Sequence, residues 1–563
     1  MPVNKYKAYK PIDMPDRKWP SKMISHAPRW CSVDLRDGNQ ALVIPMSVDE
    51  KREMFNLLVE IGFKEIEVGF PSASQTEHDF LRSLIEGNSI PEDVTIQVLT
   101  QARDHLIKKT FEALHGARRA IVHLYNSTSE LQRRVVFRMG KNETIELAVR
   151  GASLVREEAE KISGTEIIYE YSPESFTGTE LDFAVEISEA VMDIWEPASE
   201  RKMIINLPAT VEMATPNIYA DQIEWFCRQI KNRDNVIISS HAHNDRGTAV
   251  AATEFAIMAG AERVEGTLFG NGERTGNVDI ITLALNMFSQ GIDPELDLND
   301  INRVIGIYEK CSRIPVHMRH PYVGELVYTA FSGSHQDAIN KGMKAYYGDK
   351  PPCWEVPYLP IDPSDVGRTY ESIIRINSQS GKGGIAYVME QEYGFSIPKE
   401  MQPEFGMIIQ KISDETGSEI FPETIREAFY NEYIRPDSPF KFKSFREEEE
   451  STDENGNSDK SGTEIKGVIN VDGIKKEISG KGNGPIDAFS NAVKNEMKIN
   501  FRIISYYEHA LEQGSDSKAV AYIRIDVDGN KFWGAGIDTN IDVASFKAIL
   551  SALNRAQRRI EPT

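Results

Sequence analysis

Cysteine is scarce in this chain, and so are the features of secreted or membrane-inserted proteins. The 563 residues include four cysteines, Cys31, Cys227, Cys311 and Cys353, and their spacing forms no CxxC pair. This pattern disfavours a disulfide framework and fits reduced thiols in a cytoplasmic protein. No apolar run reaches the roughly 20 residues that a membrane-spanning helix needs. Residues 1–20 are basic but lack the apolar core of a secretory signal, so we expect no secretion.

An excess of basic residues is also missing. The chain has 64 Lys+Arg against 86 Asp+Glu, which gives a formal net charge of −22. Nucleic acids and anionic membranes select for basic patches, so the composition predicts neither as a partner. The length exceeds what one hydrophobic core usually spans, and we expect two or more domains.

Strand-like and helix-like segments alternate eight times from Arg29 onward. Each strand candidate is short, apolar and rich in β-branched residues, as expected of parallel strands that are buried on both faces. The candidates are WCSVDLRDG, EIEVGF, TIQVLT, RAIVHLYN, EIIYEYSPES, MIINLPAT, VIISSHAHN and RVEGTLFGNG. Eight such units predict an α/β fold, a (β/α)8 TIM barrel over residues 29–297. A doubly wound sheet is the alternative, but its first turn should read GxGxxG, and here it reads DLRDGNQ.

Two histidines, His241 and His243, close the seventh strand candidate. Residues two apart on a strand point to the same face, so both imidazoles can bind one metal ion. In isolation, a polar strand end is the simpler interpretation of this pair. A barrel reverses that preference, because its active site lies at the C-terminal ends of the strands. The polar residues at or near these ends are Arg36, Asp37, His123, Ser172, Glu174, Thr210, His241, His243 and Asn277.

A carboxylate, two imidazoles and an amide oxygen form a mixed nitrogen and oxygen ligand set. Such a set suits Mg2+, Mn2+, Zn2+ or Fe2+. It can bind an α-keto acid and polarise its carbonyl group for attack by a carbon nucleophile. Arg36 would add positive charge where negative charge develops, although a salt bridge within the barrel mouth is the alternative role.

Two other classes of protein share part of this pattern. Non-haem iron oxygenases use two histidines and a carboxylate, but they commonly sit on double-stranded β-helices, which this alternation of strand and helix does not predict. A non-catalytic amino-acid-binding regulator would be expected to lose some of the ligands or Arg36, and none is missing here.

The rest of the chain has a different pattern. Residues 1–28 predict an arm that packs on the fold or on a partner subunit. Residues 298–445 keep helical segments and predict mostly helical linker subdomains, and the acidic, polar residues 446–461 predict a flexible linker. Residues 462–563 contain two copies of a strand, VDG turn, strand, Gly-x-Gly and helix. They predict a small α+β domain of two pseudo-symmetric repeats, which is more often regulatory or dimer-forming than catalytic.

Several long motifs carry a family resemblance over nearly the whole chain. They are DLRDGNQ, EVGFPSASQTEHDF, YSPESFTGTE, NLPATVEMATPN, SHAHNDRGTAVA, FGNGERTGNVD, SGSHQDAINKG and VPYLPIDPSDVGRTYE. Together they resemble the long bacterial form of the 2-isopropylmalate synthase family, within the DRE-TIM metallolyase superfamily. Homocitrate synthase, citramalate synthase and hydroxymethylglutaryl-CoA lyase belong to the same superfamily. The intact FGNGERTGN, YSPESFTGTE and VPYLPIDP segments favour 2-isopropylmalate synthase over these relatives.

The resemblance implies an acyltransferase of leucine biosynthesis. The implied reaction is a Claisen-type condensation of acetyl-CoA with 3-methyl-2-oxobutanoate, followed by thioester hydrolysis. It implies a divalent metal ion, Mg2+ in the first place and Mn2+ or Zn2+ as alternatives, with K+ as an activator. Asp37, His241 and His243 match the metal ligands, and Asn277 lies in or beside the same set. Arg36 matches the catalytic arginine, and His123, Ser172 and Thr210 match positions around the keto acid.

The resemblance leaves the general base open. Glu174 matches a carboxylate that positions substrate or assists proton transfer, and His335 and Tyr358 match residues that the family presents to the partner subunit's site, which implies a homodimer. Our leading hypothesis for the base is His335 with Glu174, since a carboxylate can orient an imidazole and raise its basicity. The simpler alternatives are an interface histidine and a carboxylate that only orders its loop.

The C-terminal repeats resemble the family's leucine-sensing domain. Gly482, Gly484 and Asp487 in GKGNGPID match its effector site, and glycines suit close backbone approach to a small ligand. Turn geometry alone is the alternative reason for these glycines. Related enzymes tend to have a small residue where this chain has Asp487, so leucine affinity is an open question at this position.

Overall fold

The structure is a computed structural model of the chain. It describes all residues except 331, 369–381, 417–419, 421, 450–461, 512–513, 515–516 and 561–563. One compact unit holds Met1–Val327 and the segment that begins at Ile361, and the other holds Tyr328–Pro360 and the C-terminal part of the chain. Within the described residues, no helix combines the length and the apolarity that a membrane crossing requires.

The first unit contains a closed barrel of eight parallel strands in sequence order, which confirms the predicted TIM barrel. Strand eight pairs with strand one, with Arg29 opposite Arg263. The strands β6 and β7 are buried along their whole length, as parallel strands covered on both faces should be. The strands are β1 Arg29–Ser32, β2 Glu65–Gly69, β3 Thr95–Gln101, β4 Arg119–Ser127, β5 Glu166–Glu174, β6 Met203–Ala209, β7 Val236–Ala242 and β8 Arg263–Gly266.

Helices follow the strands and have local start and stop signals. Ser47 and Glu50 form a capping box at the start of α1, and Gly62 ends the same helix in the left-handed region at φ 112°. Pro216 occupies the first turn of α7. The helices are α1 Val48–Ile61, α2 Gln75–Glu86, α3 Asp104–Leu114, α4 Glu130–Gln132, α5 Lys141–Lys161, α6 Leu181–Trp195, α7 Pro216–Gln229, α8 Ala249–Ala259, α9 Ile280–Phe288 and α10 Ile301–Ser312.

A single π-helical turn, Asp34–Gly38, follows β1. The backbone N–H groups of Arg36, Asp37 and Gly38 all donate to the carbonyl oxygen of Val33, at 3.2, 2.9 and 3.1 Å. The turn contains residues that the candidate WCSVDLRDG assigned to the first strand, and β1 ends earlier, at Ser32. It places two consecutive charged side chains at the barrel mouth.

The N-terminal arm packs against the barrel of the same chain. The indole N–H of Trp19 donates to Asp221 Oδ1 at 2.8 Å, and its backbone N–H donates to Glu224 Oε2 at 3.0 Å. Its ring lies 5.0 Å from that of Phe255. These contacts anchor the arm on α7 and α8, and dimer contacts by the arm stay a prediction.

The second unit combines helices with two three-stranded antiparallel sheets, ordered β11-β10-β9 and β12-β13-β14. Its helices are α11 Gly333–Asp349, α12 Lys382–Tyr393, α13 Gln402–Thr416, α14 Pro422–Phe429, α15 Pro485–Met497 and α16 Ile541–Ile560. Its strands are β9 Phe440–Glu449, β10 Thr463–Val471, β11 Ile474–Gly482, β12 Phe501–Ala510, β13 Ala519–Val527 and β14 Asn530–Asp538.

Each predicted repeat gains a strand that the sequence pattern did not indicate. β9 pairs with β10, and β12 pairs with β13, so each repeat is three strands and a helix. β9 crosses the boundary that we expected between the helical region and the acidic linker at residue 445, and residues 450–461 of that linker lie outside the described residues. The Asp-Gly turns at Asp472 and Asp528 have the left-handed φ values, 51° and 50°, that such hairpins need.

Candidate functional site

Asp37, His241 and His243 meet at the C-terminal end of the barrel. Their potential ligand atoms all lie within 4.8 Å of one another. Asp37 Oδ2 is 3.1 Å from His241 Nε2, 3.8 Å from His243 Nε2 and 2.8 Å from Asn277 Nδ2. In the described part of the chain, His243 Nδ1 and Asn277 Oδ1 are buried without a hydrogen-bond partner. Buried orphan acceptors beside a carboxylate fit a bound divalent cation.

The electrostatics of this cluster keep its carboxylate charged. Burial alone would raise the pKa of Asp37, but the Arg36 guanidinium and His241 hold it well below its usual range. Burial would lower the pKa of His241, but hydrogen bonds to Asp37 and Glu265 raise it to about 9. Burial and the neighbouring His241 lower the pKa of His243 to about 4. Asp37 is therefore ionised and His243 neutral, the forms in which these side chains bind metals, whereas a cation that binds His241 must displace its proton.

Arg36 lies between two carboxylates. Its Nη1 is 2.6 Å from Asp37 Oδ1, and its Nε is 2.5 Å from Glu67 Oε2. The salt-bridge alternative is therefore present, but the guanidinium also lines the cleft. A positive charge fixed by two partners beside the metal-capable cluster can serve both roles.

The other side of the cleft is formed by β4 and β5. His123 Nε2 forms a hydrogen bond with Ser172 Oγ at 2.7 Å, and Asn206 Nδ2 donates to the same hydroxyl oxygen at 3.0 Å. Glu174 accepts a hydrogen bond from Ser127 Oγ. Thr210 Oγ1 accepts a hydrogen bond from the backbone N–H of Ser175, with 3.0 Å between nitrogen and oxygen.

A cleft of about 180 Å³ brings nearly all the predicted barrel residues together. Asn277 joins them through its hydrogen bond to Asp37. Arg274, held by Asp245, was not predicted and also faces the cleft. The lining residues are Arg36, Asp37, Gln40, Leu99, His123, Tyr125, Ser172, Glu174, Asn206, Pro208, Thr210, His241, His243, Glu273 and Arg274.

A buried ion network below the cleft was missed by the sequence interpretation. Arg263 Nη1 is 2.9 Å from Glu265 Oε1 and 3.5 Å from Glu170 Oε2, and all three side chains are fully buried. Glu67 and Gln97 belong to the same network. The signal was a charged or amide residue at inward positions of otherwise apolar strands, in EIEVG, TIQVLTQ and RVEG. Buried charges need partners, so these positions predict a polar barrel interior.

The remaining predicted residues lie in the second unit. The exposed rings of His335 and Tyr358 stack with centroids 4.2 Å apart, and Tyr358 has φ 64°. Gly482 ends β11, and Gly484 precedes α15. Asp487 Oδ2 accepts the backbone N–H of Asn483 at 3.0 Å. Asp487 therefore orders the loop that carries the two glycines.

The fold and the cleft define a barrel enzyme with a buried site of carboxylate and imidazole groups that can hold a divalent cation.

Residues 27–306 match the HMGL-like family, residues 325–390 match the alpha-isopropylmalate synthase post-catalytic domain-like family, and residues 419–557 match the LeuA allosteric (dimerisation) domain. An HMG-CoA lyase structure from Brucella melitensis aligns with a TM-score of 0.41 and 17% identity, over 52% of this chain and 100% of that one.

Two curated relatives match end to end. The 2-isopropylmalate synthase of Clostridium acetobutylicum is 59% identical over 559 residues, which covers 99% of this chain and 100% of that protein. The 2-isopropylmalate synthase of Rhodospirillum rubrum is 57% identical, and the alignment covers 98% of this chain and 98% of that protein. The chain belongs to the 2-isopropylmalate synthase family, which confirms the resemblance in its motifs. The dimerisation-domain match supports a homodimer.

Proposed function

We propose that the chain condenses acetyl-CoA with 3-methyl-2-oxobutanoate and water to give 2-isopropylmalate and CoA, the committing reaction of leucine biosynthesis in the cytoplasm. The observation that carries this proposal is the cluster of Asp37, His241 and His243 with Arg36 beside it. Family membership supplies the substrates. A polar cleft with a cation site and a fixed positive charge suits a substrate that has adjacent carboxylate and carbonyl oxygens.

We assign the cation site to Asp37, His241, His243 and Asn277, with Mg2+ as the ion and Mn2+ or Zn2+ as substitutes. When bound, the cation would supply Lewis-acid polarisation of the keto acid's carbonyl group. Arg36 is positioned to stabilise the alkoxide that forms when the electron pair of the acetyl carbanion makes the new carbon–carbon bond and the carbonyl π pair moves onto its oxygen. His123, Ser172 and Thr210 orient the keto acid within the same cleft.

The condensation requires a base that removes a proton from the acetyl methyl group. We assign this base to the partner subunit's His335 with Glu174, and the partner subunit's Tyr358 supports the imidazole. The stacked pair of His335 and Tyr358 is exposed, as a pair that completes another chain's site would be in a single chain. Water then attacks the thioester carbon, the carbon–sulfur bond breaks, and CoA leaves as its thiol.

We further assign leucine as the effector, bound near Gly482, Gly484 and Asp487. The basis is the match to the LeuA allosteric domain. The N-cap residue of α15, Gly484, makes no side-chain cap, so the partial positive charge of this helix end can attract an amino-acid carboxylate.

The test is the release of CoA thiol from acetyl-CoA with a panel of α-keto acids, in Mg2+ and after chelation. We expect kcat/KM for 3-methyl-2-oxobutanoate to exceed that for pyruvate or 2-oxoglutarate by at least about tenfold, since a pocket distinguishes hydrocarbon groups by that much. Preference for pyruvate would indicate a citramalate synthase, and preference for 2-oxoglutarate a homocitrate synthase. An absence of thiol release with every keto acid would contradict the proposal.

A further inference from the structure

One carboxylate lies directly behind the metal-capable cluster. Glu265 is fully buried on β8, and its Oε2 is 2.7 Å from His241 Nδ1. The same oxygen accepts from Asn206 Nδ2 at 3.1 Å. Its Oε1 accepts from Arg263 Nη1 and from Gln97 Nε2, both at 2.9 Å.

These contacts leave Glu265 little freedom. Arg263 can only donate, and the two amide groups donate through nitrogen, so three of the four contacts hold the carboxylate as an acceptor. Burial keeps water from competing. The remaining contact, with His241 Nδ1, is then satisfied when that nitrogen carries the proton.

We propose that Glu265 is a positioning residue that fixes the tautomer and the ring orientation of His241. With its proton on Nδ1, His241 keeps Nε2, which lies 3.1 Å from Asp37 Oδ2, available as the atom that binds a cation at the site. A carboxylate behind a metal-bound histidine also raises the basicity of that ligand. The inference rests on the cation site of the proposed function.

The network also offers a matched control. Gln97 Nε2 contacts both Glu265 Oε1 at 2.9 Å and Glu67 Oε1 at 3.1 Å. Glu67 is as buried as Glu265, but its partners are Arg36 and His123 and none of the proposed cation ligands. Glu67→Gln therefore removes an equal charge from the same interior without touching a ligand.

The experiment measures Mn2+ binding to the metal-free full-length protein by calorimetry and by electron paramagnetic resonance. Glu265→Gln offers an amide N–H to His241 Nδ1 and favours the tautomer with its proton on Nε2. We expect the Kd for Mn2+ to rise by about 10- to 100-fold. We expect the Kd of Glu67→Gln to stay within about threefold of wild type, while its kcat falls. The visible absorption of bound Co2+, which reports the ligand set, should change in Glu265→Gln alone.

A second variant covers the case in which Glu265→Gln does not fold. Glu265→Asp keeps the charge next to Arg263 but withdraws the carboxylate from His241, and it should also weaken Mn2+ binding. A folded Glu265 variant with unchanged Mn2+ affinity would overturn the proposal, and so would equal weakening in Glu67→Gln. These outcomes are independent of turnover, so a failure of the proposed condensation would appear in the wild-type thiol assay and not here.

Discussion

At the residue scale, the cleft depends on charges that are removed from water and must be paired. Arg36 illustrates this, since its guanidinium reaches Asp37 and Glu67 at once. Breaking such a buried pair costs about 3–5 kcal/mol because the remaining charge has no partner. The arrangement fixes the guanidinium before substrate arrives, which is the condition for stabilising a developing oxyanion.

Replacing Arg36 with Gln should reduce catalysis more than binding. We expect kcat to fall by about 10²- to 10³-fold, the usual loss when one preorganised oxyanion partner is removed. The KM for the keto acid should change much less, and steady-state kinetics measure both values. Arg303→Gln is the control, because Arg303 forms an exposed pair with Glu60 and should leave kcat unchanged. A kcat of Arg36→Gln within about threefold of wild type would rule out the assigned role.

The contact between His320 and Asp279 predicts that the stability of the protein depends on pH. His320 Nε2 is 2.8 Å from Asp279 Oδ2, and its ring packs edge-on against Phe269. Burial opposes the charged form, but Asp279 raises the pKa of His320 above its usual value. The folded state therefore binds the proton more tightly than the unfolded state does. The stabilisation is complete below the unfolded pKa, about 6.5, and is lost as pH rises through the folded value.

His320→Gln should remove this pH-dependent stabilisation. The thermal midpoint of wild type should exceed that of the variant most at pH 5.5, by the equivalent of about 1–2 kcal/mol, and least at pH 9. Thermal unfolding by circular dichroism across this range measures the difference. His105→Gln, at an exposed position of α3, is the control and should show no such trend. A larger difference at pH 9 would refute the assignment.

At the scale of elements, the alternation of apolar strands and helices was sufficient to predict the barrel. The strand ends then predicted the cleft, because parallel strands in a closed barrel bring their C-terminal ends together. Two features could not be predicted in this way. The π turn at Asp34–Gly38 depends on one carbonyl group, Val33, accepting three N–H groups. β9 begins with alternating Phe and Lys in a region that we expected to be mostly helical, ends in acidic residues that we expected to belong to the linker, and forms a strand by pairing with β10.

The buried network under the cleft was missed for a related physical reason. Arg263 and Glu265 lie two residues apart on β8 and form one ion pair of the network within that strand, whereas β2 offers Glu67 no residue of opposite charge. The other partners, Glu65 and Glu170 for Arg263 and Arg36 for Glu67, come from other elements of the barrel and become visible only when it closes. His241 and His243, in contrast, can be recognised in the sequence because they lie two residues apart at the end of β7, with His243 the first residue beyond the strand.

The glycines of the C-terminal repeats have two different structural roles. A Cβ at Gly482 would lie 2.3 Å from the backbone nitrogen of Ala488 on α15, and one at Gly536 would lie 2.1 Å from the carbonyl oxygen of Ala544 on α16. A Cβ at Gly484 would meet no atom within 4 Å. Gly482 therefore allows α15 to approach β11 closely. At Gly484, in contrast, the position of a Cβ atom lies in open space.

Gly482→Ala should destabilise the C-terminal domain, while Gly484→Ala should be tolerated. The first change forces α15 away from β11 and should cost about 1–3 kcal/mol, as overpacking does. The second removes only the mild preference for glycine before a helix, about 0.5 kcal/mol. Thermal unfolding compares the two variants. Equal stability of both would contradict the close approach of strand and helix.

At the scale of the whole molecule, the inhibition by leucine that we propose requires coupling between the C-terminal domain and the barrel. Asp487 places a carboxylate in the first turn of α15, where the helix would otherwise attract the carboxylate of a ligand. Asp487→Ala should remove this competition and lower the leucine concentration for half-inhibition by about 3- to 10-fold. Titration of the thiol-release rate with leucine measures the shift. Unchanged or weaker inhibition in the variant would exclude competition by Asp487.

The assignment of His335 to the partner's site predicts the behaviour of mixed dimers. Arg36→Gln and His335→Ala should each inactivate the homodimer, because every site lacks one of the two groups. In a heterodimer of the two variants, one site would combine the intact Arg36 of one chain with the intact His335 of the other. The second site would then lack both groups. Heterodimers isolated through two affinity tags should therefore recover about half of the wild-type kcat per dimer.

The opposite arrangement gives a distinct result. If His335 served the barrel of its own chain, each site in the heterodimer would keep one defect, and activity could not exceed that of the more active parent. Heterodimers of Arg303→Gln with His335→Ala provide the control for tags and mixing, since either arrangement leaves them one intact site. Recovery of activity only in this control would place His335 in its own chain's site. Recovery in both pairs would make the dimer the smallest unit with a complete active site, because no single chain could then assemble one.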